Sequence, residues 1–337
     1  MSRFYSFRRQ LILPLFVLPL LFAGCGDDKK DDPQPNNPDT PSGPTGKLTF
    51  ATSGTSNSST KIQEYDFAVG RPAQLITGYE GTRLPNGEIF FIRAEWTTDE
   101  VRIGTANGAT STKLFEANCS NGLSYPQVNA AGDRFALTAY YRCTQIPGAP
   151  QYGTFVMNRS GQIVARYDSV YQGTFAANGT MVFTGAIDEG NFSAAIIPSA
   201  SRGEGLYRVN PGGGRPVKIP VAVDKPLYPA ISPDGSKVAF SLNDHIWVVN
   251  IDGSGLRQVT SGSRSETYPV WSPNGSLIAC LCYGTDFPGA LFGFNVVSVV
   301  PANATTEMIN SAPVYVQDPT SSNTGNLMRG DGPLTWR

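Results

Sequence analysis

The sequence predicts an all-β fold, a six-bladed β-propeller of four-stranded antiparallel blades spanning residues 47–337. Three observations carry this. A turn-and-strand pattern recurs along the chain, a second hairpin follows each copy, and the last residues match the one strand that the first repeat lacks. Composition agrees. With 36 glycines and 26 prolines punctuating a chain that is 40% apolar, many short strands between turns are expected.

Each copy starts at a tyrosine, runs seven or eight residues to a turn glycine, and enters an apolar strand. In chain order these are YEGTRLPNGEIFFI from Tyr79, YPQVNAAGDRFALTA from Tyr125, YQGTFAANGTMVFTG from Tyr171, YPAISPDGSKVAFS from Tyr228 and YPVWSPNGSLIACL from Tyr268. Asn-Gly or Asp-Gly between apolar runs is the strongest short hairpin signal, because such turns need a residue at positive φ. The turn glycines, at 87, 132, 179, 235 and 275, recur every 40 to 56 residues, the length of a propeller blade. The second hairpin is clearest in HIWVVNIDGSGLRQVT (245–260), and GLYRVNPGGGRPVKI (205–219), GTFVMNRSGQIVARY (153–167) and VRIGTANGATSTKLF (101–115) follow its logic. Two hairpins make four strands, one blade.

The sixth unit is split between the chain ends. GKLTFATS from Gly46 reads as a second strand and KIQEYDFAVGRPAQLIT (61–77) as an outer hairpin, with no innermost strand before them. The final GPLTWR matches YPVWS and sets Trp336 beside Trp271. The C-terminal strand is therefore expected to complete the N-terminal blade and leave no open edge.

The stretches YPAISPDGSKVAF…IWVVNIDGSGLRQVT and YPVWSPNGSLIA resemble the WD40-like repeats of the TolB propeller. The resemblance covers the propeller alone. It implies a periplasmic envelope-assembly role and a partner such as peptidoglycan-associated lipoprotein. TolB-type proteins carry an N-terminal α/β domain, whereas here an anchor and a linker precede the propeller.

Residues 1–24 read as a signal peptide, with Arg3, Arg8 and Arg9 before an apolar run from Leu11 to Phe22. Twelve residues are too few for a membrane span, which needs about 20. LFAGC then resembles a lipoprotein processing site, which implies cleavage before Cys25 and lipidation of its thiol. Losing residues 1–24 removes three arginines and no acid, leaving a formal charge of −4. Residues 25–46 hold charge, Pro, Asn and Ser with almost nothing apolar, and are expected to be a disordered tether. Its GDDKKDD resembles stretches that send some lipoproteins to the outer face of the outer membrane. Surface and periplasmic locations both stay open.

Four further cysteines remain. Cys280 and Cys282, two apart on a strand, share a face and are poorly placed to bond each other. Cys119 and Cys143 could form a disulfide in an exported chain, or stay as free thiols.

Chemistry is sparse. The one histidine, His245, cannot supply a zinc site of several histidines, and its place beside a turn argues against the base of a nucleophilic triad. A propeller glycosidase needs two carboxylates at the central channel, and between each tyrosine and its turn glycine the copies offer only Glu80 beyond the turn acid Asp234. The RGD at 329–331 leads into the closing strand and reads as a chance tripeptide, and the GGG at 212–214 as a hairpin turn. A net charge of −1 gives no footprint for nucleic acid.

The two propeller faces differ. The first-to-second and third-to-fourth turns are minimal, whereas the second-to-third loops near 140–153, 185–204 and 283–293 are long. Long loops on a rigid scaffold commonly carry function. Trp96, Tyr140, Tyr141, Arg142, Tyr152, Phe192, Arg202, Tyr283 and Phe287 fall there, residue types that anchor interfaces or stack on sugars; the same aromatics could pack the loops onto the blades. The expectation is a lipid-anchored, monomeric, non-enzymatic binding propeller without a cofactor, engaging a protein or glycan. A carbohydrate-active enzyme is the alternative.

Overall fold

The computed structural model describes residues 43–52, 60–95, 97–118, 122–139, 153–185, 205–285, 287, 293–305, 307–308, 316 and 328–337. They form six antiparallel blades in a ring, and every element among them is a strand. From the axis outward, blade 2 is Glu80–Arg83, Ile89–Ala94, Asp99–Gly104 and Ser111–Ala117, and blade 3 is Leu123–Val128, Arg134–Ala139, Gly153–Asn158 and Ile163–Asp168. Blade 4 is Val170–Phe175, Met181–Gly185, Leu206–Val209 and Val217–Lys218, and blade 5 is Leu227–Ile231, Lys237–Leu242, His245–Asn250 and Arg257–Gln258. Blade 6 has Ser265–Trp271, Leu277–Gly284 and Phe294–Pro301, with Met328 and Val316 bonded to Val297 along the outer side.

Blade 1 closes the ring as the sequence predicts. Asp331–Trp336 is its innermost strand, followed outward by Lys47–Thr52, Lys61–Asp66 and Arg71–Thr77. Leu48 stands opposite Trp336 and Thr49 opposite Thr335. The Lys47 amide donates to the Arg337 carbonyl at 2.5 Å and the Arg337 amide to the Lys47 carbonyl at 3.0 Å. Gly46, at φ +86°, lies against that junction, where a Cβ would meet the Arg337 carbonyl oxygen at 2.5 Å. The break in the chain thus copies the other five turns, whose glycines 87, 132, 179, 235 and 275 all have φ between +73° and +88°.

Alternating side chains feed opposite blade interfaces, as strand pleating requires. Phe90 and Ile92 of blade 2 pack toward blade 3, whereas Ile89 and Phe91 pack toward blade 1. Six buried clusters result among the described residues, one between each pair of neighbouring blades. Cys280 and Cys282 obey the same rule. Both are buried, outside any disulfide and facing blade 5, while Leu277, Ala279 and Leu281 face blade 1.

Candidate binding site at the channel mouth

The innermost strands share a distortion. In blades 3, 4, 5 and 6 their register shifts at Ser124/Gln127, Tyr171/Thr174, Leu227/Ala230 and Thr267/Val270. Three of these bulges hold a Tyr-Pro pair, and there Tyr125, Tyr228 and Tyr268 take φ of 60°, 52° and 52°. Proline removes a ladder donor and bars its predecessor from the right-handed helical region, which suits a bulge; blade 4 makes the same bulge without one, with Gln172 at φ 57°. A bulky residue at positive φ is an outlier that costs about 1–3 kcal/mol and needs surrounding structure to hold it. Here the holding structure is a stack. The Tyr228 and Tyr268 rings lie 3.9 Å apart, and Tyr125 lies 6.4 Å from Tyr268. Blades 3 and 6 sit opposite each other in a six-blade ring, so contact between their tyrosines fills the channel.

Beside Tyr125, on the short-turn face, a cavity of about 320 Å³ opens among all six blades. Trp271, Trp336, Phe175, Ile231 and Pro269 give it an apolar wall, and Thr82, Gln127 and Thr335 add polar groups. Among the described residues no Asp or Glu side chain lines it, and the one charged side chain in its lining is that of Arg337. Its guanidinium reaches past blade 2 and donates through Nη2 to the Val128 carbonyl of blade 3 at 2.7 Å, and burial holds it below the usual arginine range. Among the described residues no carboxylate lies within ion-pair distance of it. The hydroxyls of Thr82 and Thr335 are buried at the cavity wall without a hydrogen-bond partner.

The acids near the axis are committed to joining blades. Glu80, 5% exposed, accepts from the Tyr125 amide at 2.6 Å and from the Ser124 hydroxyl at 3.1 Å. Burial pushes its carboxyl up to about 7, against the lowering effect of those bonds. Burial, followed by the Glu80 charge, pushes the Tyr79 phenol up to about 12. Asp99 accepts from the amides of Gly122 and Leu123 at 2.8 and 2.9 Å. Gln172 plays Glu80's part at the next junction but one, accepting from the Tyr228 amide at 2.8 Å. Glu266 accepts from Thr260 Oγ1 at 3.0 Å and meets His245 Nδ1 at 2.7 Å, which ties the lone histidine to the blade 5–6 junction. Burial raises the Glu266 carboxyl. Asp234 is held by its own turn, where bonds from Ser232 and Ser236 lower it to about 2. Among the described residues no three His, Cys, Asp or Glu side chains are grouped to hold a metal ion.

Of the residues singled out on the long-loop face, Trp96, Tyr140, Tyr141, Arg142, Tyr152, Phe192 and Arg202 lie outside the described residues, as do Cys25, Cys119 and Cys143. Tyr283 is 47% exposed there. Phe287 is 4% exposed, packed on Phe294 with the Arg264 guanidinium 4.3 Å above its ring. Arg329 of the RGD is stacked over Phe294 at 4.0 Å and Asp331 accepts from Asn295 at 3.3 Å. Sequence reasoning missed the channel-mouth cavity. Its signal was the Tyr-Pro pair in three repeats, together with a lone arginine at the end of the closing strand.

No protein-family profile matches the chain, and no curated protein sequence matches it. Solved structures do, and they share its fold, a six-bladed propeller like that of TolB. The chain is similar to TolB from Acinetobacter baumannii at 13% identity and a TM-score of 0.59, covering 86% of this chain and 66% of that one. It is similar to a protein of Agrobacterium tumefaciens described as TolB at 13% identity and 0.53, covering 77% and 87%. It also resembles a chain of a nidogen/laminin complex, at 8% identity and 0.51, covering 86% and 97%. At such identities the likeness is one of fold.

Proposed function

We propose that this propeller is a non-enzymatic binding module, tethered at the outer membrane by a lipid on Cys25, whose protein or glycan partner inserts a group into the channel-mouth cavity. The cavity carries the reading. It is formed by all six blades, bordered by Tyr125 at positive φ, and lined by Phe175, Trp271 and Trp336 with the side chain of Arg337. Concave, mostly apolar sites with a few placed polar groups are the usual form of a binding pocket. The absence of any acid from its lining supports binding over glycoside hydrolysis, which needs a carboxylate pair.

Ala130 and Ala177 stand exposed at the rim. The double variant Ala130→Trp, Ala177→Trp should narrow the mouth and leave the core alone. Full-chain protein is then used to capture envelope proteins and glycans, with wild type and variant side by side. Capture that falls at least about tenfold at an unchanged melting temperature fits the loss of a hot-spot group. Equal capture by both, or turnover of a polysaccharide by the wild type, sinks the reading.

The anchor has its own test. Cys25→Ala should move the protein from the membrane fraction to the soluble fraction. A variant that still sediments with membranes like wild type would remove Cys25 from that role.

A second reading places the partner on the long-loop face, and the exposed ring of Tyr283 favours it. Tyr283→Ala would then lower capture in the same experiment while the rim variant would not.

A further inference from the structure

The geometry points to a carboxylate on an apolar stem as the group the cavity receives, with Arg337 taking the carboxylate. This rests on the reading of the cavity as a binding site. A guanidinium carries five N–H donors in a planar fork suited to carboxylate, and Arg337 uses its Nη2 on the Val128 carbonyl. Arg337 lines the cavity, and among the described residues no Asp or Glu side chain shares that lining. An unpaired cation held beside low-dielectric walls attracts an anion more strongly than the same cation in water.

The rest of the lining dictates the stem. Pro233, Pro269, Pro273, Ile231, Phe175 and Trp271 form the apolar share of the lining, which suits an apolar or aromatic group behind the carboxylate. The volume of about 320 Å³ is at the small end of ligand sites, which fits one side group rather than a folded segment.

A free acid and the C-terminal residue of a peptide share this chemistry, and two probes separate them: 4-phenylbutyrate and acetyl-Ala-Ala-Phe with a free carboxyl end. Each is compared with its amide. Trp271 and Trp336 line the cavity, so binding to the full chain is read by quenching of tryptophan fluorescence. Saturable binding in which the acid is favoured over its amide by about tenfold, a charge-assisted pair against a neutral one, is the expected result. Arg337→Gln removes the charge and is too short to reach the Val128 carbonyl; it should abolish that preference, and retained binding of the amide shows that the cavity persists. The tighter of the two acids identifies the source. Equal binding of acid and amide, a preference that survives in Arg337→Gln, or no saturable binding of either acid overturns the assignment. The rim variant Ala130→Trp, Ala177→Trp tells the two failures apart. If acid and amide bind alike and both are lost in it, the cavity binds but not through a carboxylate. If it binds both like wild type, the cavity reading falls as well.

Discussion

Removing residues 332–337 is expected to abolish folding of the closed ring, seen as insoluble protein or loss of the cooperative melt. Cutting a few residues from a chain end usually changes little. Here the six residues hold most of the innermost strand of blade 1. Leu334 and Trp336 are buried in the cluster between blades 6 and 1. Trp336 also donates through Nε1 to the Thr45 carbonyl at 2.7 Å and stacks on Phe67 at 5.0 Å. Truncating a buried tryptophan alone costs about 3–5 kcal/mol. Trp336→Ala should therefore lower the melting temperature by on the order of 10 °C. The deletion adds the loss of Leu334 and of the ladder to Lys47–Thr52, and exposes that strand's edge. Together these rival the whole stability of a typical domain, about 5–15 kcal/mol. An unchanged melt after the deletion would show that the ring does not depend on this strand.

Mild acid should stabilise the protein, and Glu80 should be the main cause. In the folded state its carboxyl titrates near about 7, raised from 4.5 by burial. Below the lower value it is protonated in both states and contributes nothing to the pH dependence. Between the two values the unfolded chain releases a proton that the folded chain keeps, so stability falls as pH rises. Above the folded value both states are ionised and the dependence stops. The span corresponds to roughly 3 kcal/mol. Urea midpoints between pH 5 and 8 should thus decline for wild type. Glu80→Gln can still accept the Tyr125 amide, so it should show a flatter profile, near wild type at pH 5 and more stable at pH 8. Asp234, lowered by its turn bonds to about 2, titrates below this window. Parallel profiles for the two proteins would mean that Glu80 is ionised when folded throughout, its bonds from Ser124 and Tyr125 outweighing its burial.

The two expectations differ in how far they could be read beforehand. Closure was legible because GPLTWR carries the same apolar spacing as YPVWS, and period-two alternation is written into any strand with a buried face. The role of Glu80 was not. It stands one residue after a repeat tyrosine, where other copies have Pro or Gln, and nothing local says that its carboxyl will cap the amide of a residue 45 positions on. As a single acid on an inner strand it was too little for a catalytic pair; in the fold it is a blade-to-blade bridge.

Local rules thus determined the blade count and the turns. An Asn-Gly or Asp-Gly turn needs positive φ whatever surrounds it, and Asn243-Asp244, at φ 49° and 67°, makes the short crossing of blade 5 for the same reason. The closing strand and the shared face of Cys280 and Cys282 also follow from patterns of a few residues. The position of the cavity does not. It depends on ring curvature, which brings Tyr125 of blade 3 against Tyr268 of blade 6 and carries Arg337 to the Val128 carbonyl, 209 residues away in sequence. Loop length pointed to one face because it is a local property. The described cavity opens on the other, because six inner strands converge there and no single strand encodes their meeting.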